Sequence, residues 1–293
     1  AADVILDGGK IQALVAPGTA LGNFDSTVDA KGKYVIPGGI DAHTHLDMPF
    51  GGTNSIDDFE SGTLAAAHGG TTTIVDFAIQ KKGGSLREAL DTWHQKAEGR
   101  ALVDYAFHMI ATDVPPPVLD EMGAMVKEGV TSFKLYMAYP ELLQVDDETI
   151  VSIMTTAHRH GGLVTLHAEN GGAIQALRAQ ALAAGRTGAV EHARTRPAIL
   201  EAEATTRAAA LAEVVGAPVY IVHLSSAPGL AAVRQAQERG VAIMAETCPQ
   251  YLHLDAGRLA GAGGDNFVCT PPLRDPWHAE ELWEGLARGW IHT

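Results

Sequence analysis

Cysteine is nearly absent from this sequence: Cys248 and Cys269 are the only two in 293 residues. Two thiols cannot build a disulfide framework, and their spacing is not that of a zinc knuckle. Positive charge is also scarce. Twenty-one Lys and Arg stand against 35 Asp and Glu, a formal net charge of -14. That balance argues against nucleic acid and anionic membranes as partners, since both select basic patches. No apolar run approaches the length of a membrane span, and the amino end carries no signal-peptide pattern. These absences lead to the expectation of a cytoplasmic protein in a reducing compartment.

What is present is apolar substance and histidine. Hydrophobic residues make up 46% of the chain, enough for a large core, and the length suits one α/β barrel with a small attachment. Thirteen histidines are roughly double ordinary usage, and histidine is the commonest metal ligand and proton carrier. Position must decide what they do.

Residues 1–35 read as short strands near 4–6, 10–15 and 26–30, separated by Asp7-Gly8-Gly9 and a Pro/Gly-bearing loop. That stretch is too small to bury a core of its own. From residue 36 apolar strands alternate with alanine-rich helical stretches, the pattern of repeated βα units. Strands are expected near 38–45, 71–77, 103–109, 131–137, 163–167, 218–223 and 241–245. Helices are expected near 58–68, 85–98, 117–128, 147–160, 172–184, 198–215, 229–239 and 278–288. Ile291-His292-Thr293 looks like the approach to one more strand. The fold class is therefore α/β, a (β/α)8 barrel short of its last strand. The alternative is an open doubly wound sheet, but no Gly-rich phosphate loop follows the first strand.

The first strand ends Gly39-Ile40-Asp41-Ala42-His43-Thr44-His45. A two-residue period puts Asp41, His43 and His45 on one face and sends Ile40, Ala42 and Thr44 toward the helices. Two imidazoles on adjacent rungs can grip one metal ion. The other His-x-His, His158/His160, lies in a helical stretch, where that spacing swings the side chains to roughly opposite faces, so it is assigned to the surface. The fifth strand ends on His167 and the sixth on His223, each before a loop, where a parallel barrel keeps its functional groups. One such histidine would ordinarily be core packing; three strand ends repeating the arrangement point to a converging set of His43, His45, His167 and His223. On the fourth strand, alternation sends Phe133, Leu135 and Met137 to the helix side and Ser132, Lys134 and Tyr136 inward. A buried ammonium is costly. Either Lys134 pairs with an acid such as Asp41, or it is neutral and nucleophilic and takes up carbon dioxide as a carbamate able to bridge two metal ions.

Five segments carry a family resemblance: residues 41–53, 132–139, 166–170, 222–226 and 269–275. In that order they resemble the motifs of the hydantoinase/dihydropyrimidinase branch of the amidohydrolase superfamily, over nearly the whole chain. The resemblance implies that residues 36–293 belong to a metal-dependent barrel and residues 1–35 to a small β-sandwich. It implies that His43, His45 and carboxylated Lys134 hold one divalent metal ion, and that Lys134, His167 and His223 hold a second. Zinc suits such histidine-rich ligation best. Tyr139 matches the tyrosine that donates to the scissile carbonyl, and Thr270 stands where the family has serine, whose main chain contacts the ring amide. Met48, Phe50 and Tyr136 either line the pocket for the exocyclic substituent or pack against the helices. The implied reaction is hydrolysis of 5-substituted hydantoins or dihydropyrimidines to N-carbamoyl amino acids by hydroxide activated at the metal pair. The implied assembly is a homo-oligomer, tetramer or dimer.

Within the superfamily dihydroorotase is disfavoured, because Asp47 stands where such enzymes place an arginine. Allantoinase is the nearer rival, although its motif resembles Asn-Glu-Pro-Gly where this chain has Asp-Met-Pro-Phe. A non-enzymatic homologue of the collapsin-response kind is the rival of another class, and the retained metal-type residues argue against it. The resemblance also places a fourth ligand, an aspartate that shuttles the proton, on the eighth strand, about where the sequence stops. The chain is accordingly expected to be part of a longer protein, and to be inactive and poorly stable alone.

Overall fold

A computed structural model of the protein describes residues 1–19, 22–140 and 142–293. The chain divides into two compact units, Ala1–Pro37 and Gly38–Thr293. In the first, strand β1 (Asp3–Asp7) pairs antiparallel with β2 (Lys10–Val15). The turn between them is Gly8-Gly9, both at positive φ, the backbone a two-residue hairpin requires. The expected third strand at 26–30 does not form. Its sequence has strand character, but no described strand of this unit other than the hairpin offers it a ladder.

The second unit begins with β3 (Gly39–Thr44) and a two-rung hairpin, β4 (Pro49–Phe50) with β5 (Thr53–Asn54). There follow α1 (Phe59–His68), β6 (Thr71–Ile79), α2 (Leu86–Ala97), β7 (Asp104–Ile110), α3 (Pro116–Lys127), β8 (Ser132–Tyr136), α4 (Asp147–Arg159) and β9 (Leu163–His167). After three helices, α5 (Gly171–Ala183), α6 (Ala189–Arg194) and α7 (Ala198–Val215), come β10 (Val219–Ile221), α8 (Ala227–Glu238) and β11 (Ile243–Ala245). Short α9 (Pro249–His253) and then α10 (Pro276–Arg288) complete it. The seven long-range strands form one parallel sheet in the order β3-β6-β7-β8-β9-β10-β11. That order is the chain order. A doubly wound sheet reverses its order at a switch point; strictly sequential parallel strands with helices between them are the architecture of a (β/α) barrel. Beyond α10 the backbone lies along β11, with His292 N–H donating to Ala245 O and Thr247 N–H to Thr293 O, both 2.8 Å.

Local sequence explains the helices. Asp58 caps α1 through the Glu60 and Ser61 amides, while the Ser61 hydroxyl answers the Asp58 amide, a capping box. In α7, Ala204, Ala208 and Ala212 recur every fourth residue and are fully buried, so α7 can pack close to the sheet and its neighbours; Gly216 ends it in the left-handed conformation. The main core lies between sheet and helices: Phe133, Leu135, Val164, Leu166, Val219, Ile221 and Ile243 meet Ile150, Ile153, Met154 and Val233. A second cluster, Met48, Phe77, Ile110, Tyr136 and Leu143, lies on the sheet's other face. Phe133 and Leu135 on one side and Tyr136 on the other show the alternation expected of β8. On β3 it fails: Ile40 and Ala42 are exposed. β3 is an edge strand with a register shift between Asp41 and Thr44, so its outer side chains meet no helix. No described helix is long and apolar enough to cross a membrane.

The end of β3 is held by one carboxylate. Asp76, buried on β6, accepts hydrogen bonds from Thr44 Oγ1, the Leu46 and Phe77 amides and Trp93 Nε1, at 2.8–3.0 Å. Asp76→Ala strands these buried donors, each worth about 1–3 kcal/mol when unsatisfied. The expected loss is on the order of 3 kcal/mol, read as a lower urea midpoint of the metal-free protein. An unchanged midpoint would show that Asp76 does not hold the strand.

Candidate metal centre

Each of the strands β3, β8, β9, β10 and β11 delivers a polar side chain to the same end of the sheet, the carboxyl end, where barrels carry their chemistry. They line one cavity of about 1120 Å³ with His43, His45, Lys134, Tyr136, His167, His223 and Glu246 among its walls. The imidazole rings are neighbours: His43 lies 5.2 Å from His45 and 5.4 Å from His223 between centroids, and His167 lies 4.6 Å from His223. Lys134 Nζ sits 3.0 Å from His43 Nε2, over the rings of Phe77 and Tyr136 at 4.4 and 5.2 Å. Phe77 forms the floor, 4.8 Å from both His43 and His45. His158 and His160 are exposed, away from this set.

Burial sets the protonation. Desolvation, reinforced by Lys134 and neighbouring imidazoles, pushes His43, His45 and His223 well below the ordinary histidine range, and desolvation with Lys134 and Arg196 holds His167 below it against the pull of Glu169. All four are therefore neutral near pH 7, with lone pairs to offer. Desolvation also lowers Lys134 to about 7, so that its amine gives up a proton far more readily than an exposed lysine does. Asp41, the acid considered as its partner, is exposed and accepts the His43 amide at 3.0 Å; the carboxylate nearest in electrostatic effect is Glu246.

Two orphaned atoms bear on metal binding. His45 Nδ1 and His223 Nδ1 are buried without a hydrogen-bond partner, a state that native structures seldom leave unexplained. A cation accepting those lone pairs explains it. Among the described residues no three His, Cys, Asp or Glu side chains already close on one point, because the middle of the cluster is a lysine. The donor set suits metal ions once that lysine becomes an acceptor.

Around this centre the other expected residues take their places. Tyr139, in the loop after β8, has φ +65°, and its ring lies 5.4 Å from His167 and 5.2 Å from Phe50. Burial raises its hydroxyl to about 12, against hydrogen bonds from Thr270 and Arg196. Tyr136 stacks on His167 at 5.2 Å. Met48 is buried beside Tyr136, and Phe50 sits on the β4 hairpin at the cavity wall. Thr270 Oγ1 lies 3.1 Å from His192 Nε2. Asp47, Tyr139 and His223 are the non-glycine residues at positive φ among those described. Each follows a strand at the cavity end, and such strained backbone concentrates at functional sites.

Several residues escaped the sequence reading. Glu246 follows β11 directly and pairs with His43 Nδ1. Glu169 accepts from His167 Nε2 at 2.7 Å, leaving Nδ1 as that ring's remaining nitrogen. Burial alone would raise Glu169, but His167, Arg196 and Arg274 bring it below the carboxylate range. Beneath His223, buried Glu201 accepts from Ser225 and Ser226, and Arg274 donates to Ser225 Oγ at 3.0 Å. The strand-end rule that picked out His167 and His223 applies equally to Glu246.

The fold and the cavity agree with the family comparison: the amidohydrolase family model matches residues 34–267, and the chain belongs to that family, which implies a metal centre. Among its relatives is a D-hydantoinase of Streptomyces coelicolor, 52% identical over 290 residues, covering 97% of this chain and 62% of the relative. A D-hydantoinase of Geobacillus stearothermophilus is 47% identical over 299 residues, covering 100% and 62%. The solved structure of a dihydropyrimidinase from Brevibacillus agri superposes with a TM-score of 0.96 at 47% identity, and that of an L-hydantoinase from Arthrobacter aurescens with 0.87 at 30%; each covers 100% of this chain and 64% of its own. The chain thus spans 62–64% of the length of these relatives.

The depressed histidines carry a sign. The unfolded chain binds protons near pH 6.5, whereas the folded site binds them only at lower pH, so stability is full above 6.5 and falls as pH drops below it. In the metal-free protein, histidine NMR signals of His43, His45, His167 and His223 are expected to remain those of neutral rings from pH 8 to pH 6. Protonation of any of them with a midpoint near 6.5 would contradict this burial.

Proposed function

We propose that the chain is the catalytic barrel of a hydantoinase/dihydropyrimidinase, opening 5-substituted hydantoins or dihydropyrimidines to N-carbamoyl amino acids. The observation that carries this reading is Lys134. It lies buried among four neutral imidazoles, its Nζ 3.0 Å from His43 Nε2, with no carboxylate at ion-pair distance among the described residues. The unprotonated amine in that position adds carbon dioxide, losing a proton to become a carbamate. The amine that interrupted the cluster then becomes a carboxylate within it. In this reading His43, His45 and the carbamate hold one divalent ion, and the carbamate, His167 and His223 hold the other. Zinc is proposed from the imidazole-rich donor set. Bound there, the metal pair supplies water activated near neutral pH and polarises the carbonyl.

The chain's own residues do the rest. Tyr139 keeps its proton at neutral pH, being raised to about 12, and donates it as a hydrogen bond to the ring carbonyl oxygen as negative charge develops. The Thr270 main chain holds the ring amide, and Met48, Phe50 and Tyr136 surround the exocyclic substituent. Residues 1–35 are assigned to a small β-sandwich and 36–293 to the barrel. A cytoplasmic location fits two free thiols, and a tetramer or dimer follows the family resemblance.

A steady-state comparison of the full-length protein on hydantoin, dihydrouracil, allantoin and dihydroorotate tests the substrate class. Turnover of the first two is expected; preference for allantoin or dihydroorotate would overturn it. Tyr139→Phe should lower kcat and kcat/KM alike, on the order of 10²–10³-fold, whereas an effect on KM alone would refute the oxyanion role. Under ¹³CO₂ the zinc-loaded full-length protein should show a carbamate carbon resonance that is lost in Lys134→Ala. Its absence from the metal-loaded wild type would remove the bridging ligand.

A further inference from the structure

Glu246 directly follows the last strand of the sheet, β11, yet it touches the first. Its Oε1 pairs with His43 Nδ1 across 203 positions of sequence and accepts the His223 amide at 3.2 Å. Its Oε2 accepts the Tyr220 hydroxyl at 3.2 Å. One buried carboxylate thus reaches a histidine from each half of the proposed metal pair: the ring of His43 and the backbone of His223, whose φ of +43° needs such a tie.

The consequence for His43 is a choice of tautomer. A carboxylate oxygen can only accept, so the imidazole proton is held on Nδ1. Nε2, the nitrogen facing Lys134 Nζ at 3.0 Å, is left as a lone pair directed at the cluster. Histidines that bind metals generally need such a partner on their far nitrogen, which fixes ring orientation and raises ligand basicity. β11 has three residues, so Glu246 stands on the first residue past the ladder and can lean across the sheet end toward β3.

We propose that Glu246 is a positioning residue for the metal centre: it fixes His43 as the Nδ1–H tautomer and ties it to the His223 backbone, holding the two metal sites in register. The inference rests on the proposed metal centre, deepening it with a ligand partner from the seventh strand. Glu246 itself contacts neither substrate nor metal in this account.

The test uses the full chain with ¹⁵N-labelled histidine and three variants, Glu246→Gln, Glu246→Ala and Tyr220→Phe. In the metal-free wild type, His43 should show the protonated Nδ1 and bare Nε2 of a single tautomer. Glu246→Ala should give a tautomer mixture and weaken one of two metal equivalents by about 10–100-fold in chelator competition, leaving the other nearer its original affinity. Glu246→Gln, which keeps an acceptor oxygen, should fall between. Tyr220→Phe removes a Glu246 contact without touching His43, and should leave tautomer and affinity unchanged. A single His43 tautomer and unaltered affinity for both metals in Glu246→Ala would overturn the inference while leaving the metal centre standing. Absence of metal binding by the wild type would instead sink the proposed function, and the tautomer measurement would still decide what Glu246 does to His43. Equal losses in Tyr220→Phe and Glu246→Ala would reduce Glu246 to a structural prop, which contradicts the proposal.

Discussion

An amine on the inner face of a central strand must shed its proton or meet negative charge, and the surroundings of Lys134 turn on that demand. β8 is flanked by β7 and β9, so nothing on it reaches water easily, and burial drives Lys134 down to about 7. Burial drives the imidazoles the same way, toward their neutral forms. Lysine and histidine side chains that would repel one another as cations can therefore share one small volume. The cluster is self-consistent only in a neutral or metal-loaded state. Its polar groups are poised for a cation and for the carboxylate that would bridge to it.

The scaffold supplies the rigidity such a cluster needs. Phe77 supports His43 and His45 from below, Asp76 pins the backbone at Thr44 and Leu46, and Glu201 with Arg274 braces the loop after His223. These supports come from β6, α7 and the segment before α10, each remote in sequence from the histidine it steadies. Positive φ at Tyr139 and His223 marks where this bracing overrides local preference. Strain of that kind persists because packing and hydrogen bonds leave the chain no alternative.

Much of this was legible in the residues. The two-residue period identified Lys134 as inward-facing, because β8 is a central strand where alternation has a buried face on each side. His167 and His223 were legible because each follows an apolar run and precedes a loop. Ile40 and Ala42 were misplaced for the opposite reason: β3 lies at an edge, and a register shift interrupts its period. The expected strand at 26–30 had composition but no partner. Glu246 and Glu169 were hidden because single carboxylates are common in any sequence, and only the sequential strand order brings Glu246 beside His43. Ring nitrogens and their partners are set by topology, which a linear pattern does not display.

The centre proposed for these strand ends has two metal ions joined through Lys134. Anomalous diffraction at the zinc absorption edge, from crystals of the zinc-loaded full-length protein, shows whether both are bound there. Two peaks are predicted: one between His43, His45 and Lys134, the other between Lys134, His167 and His223, with carboxylate density extending from Nζ to both. A single peak, or two peaks beside a bare lysine amine, would contradict the account.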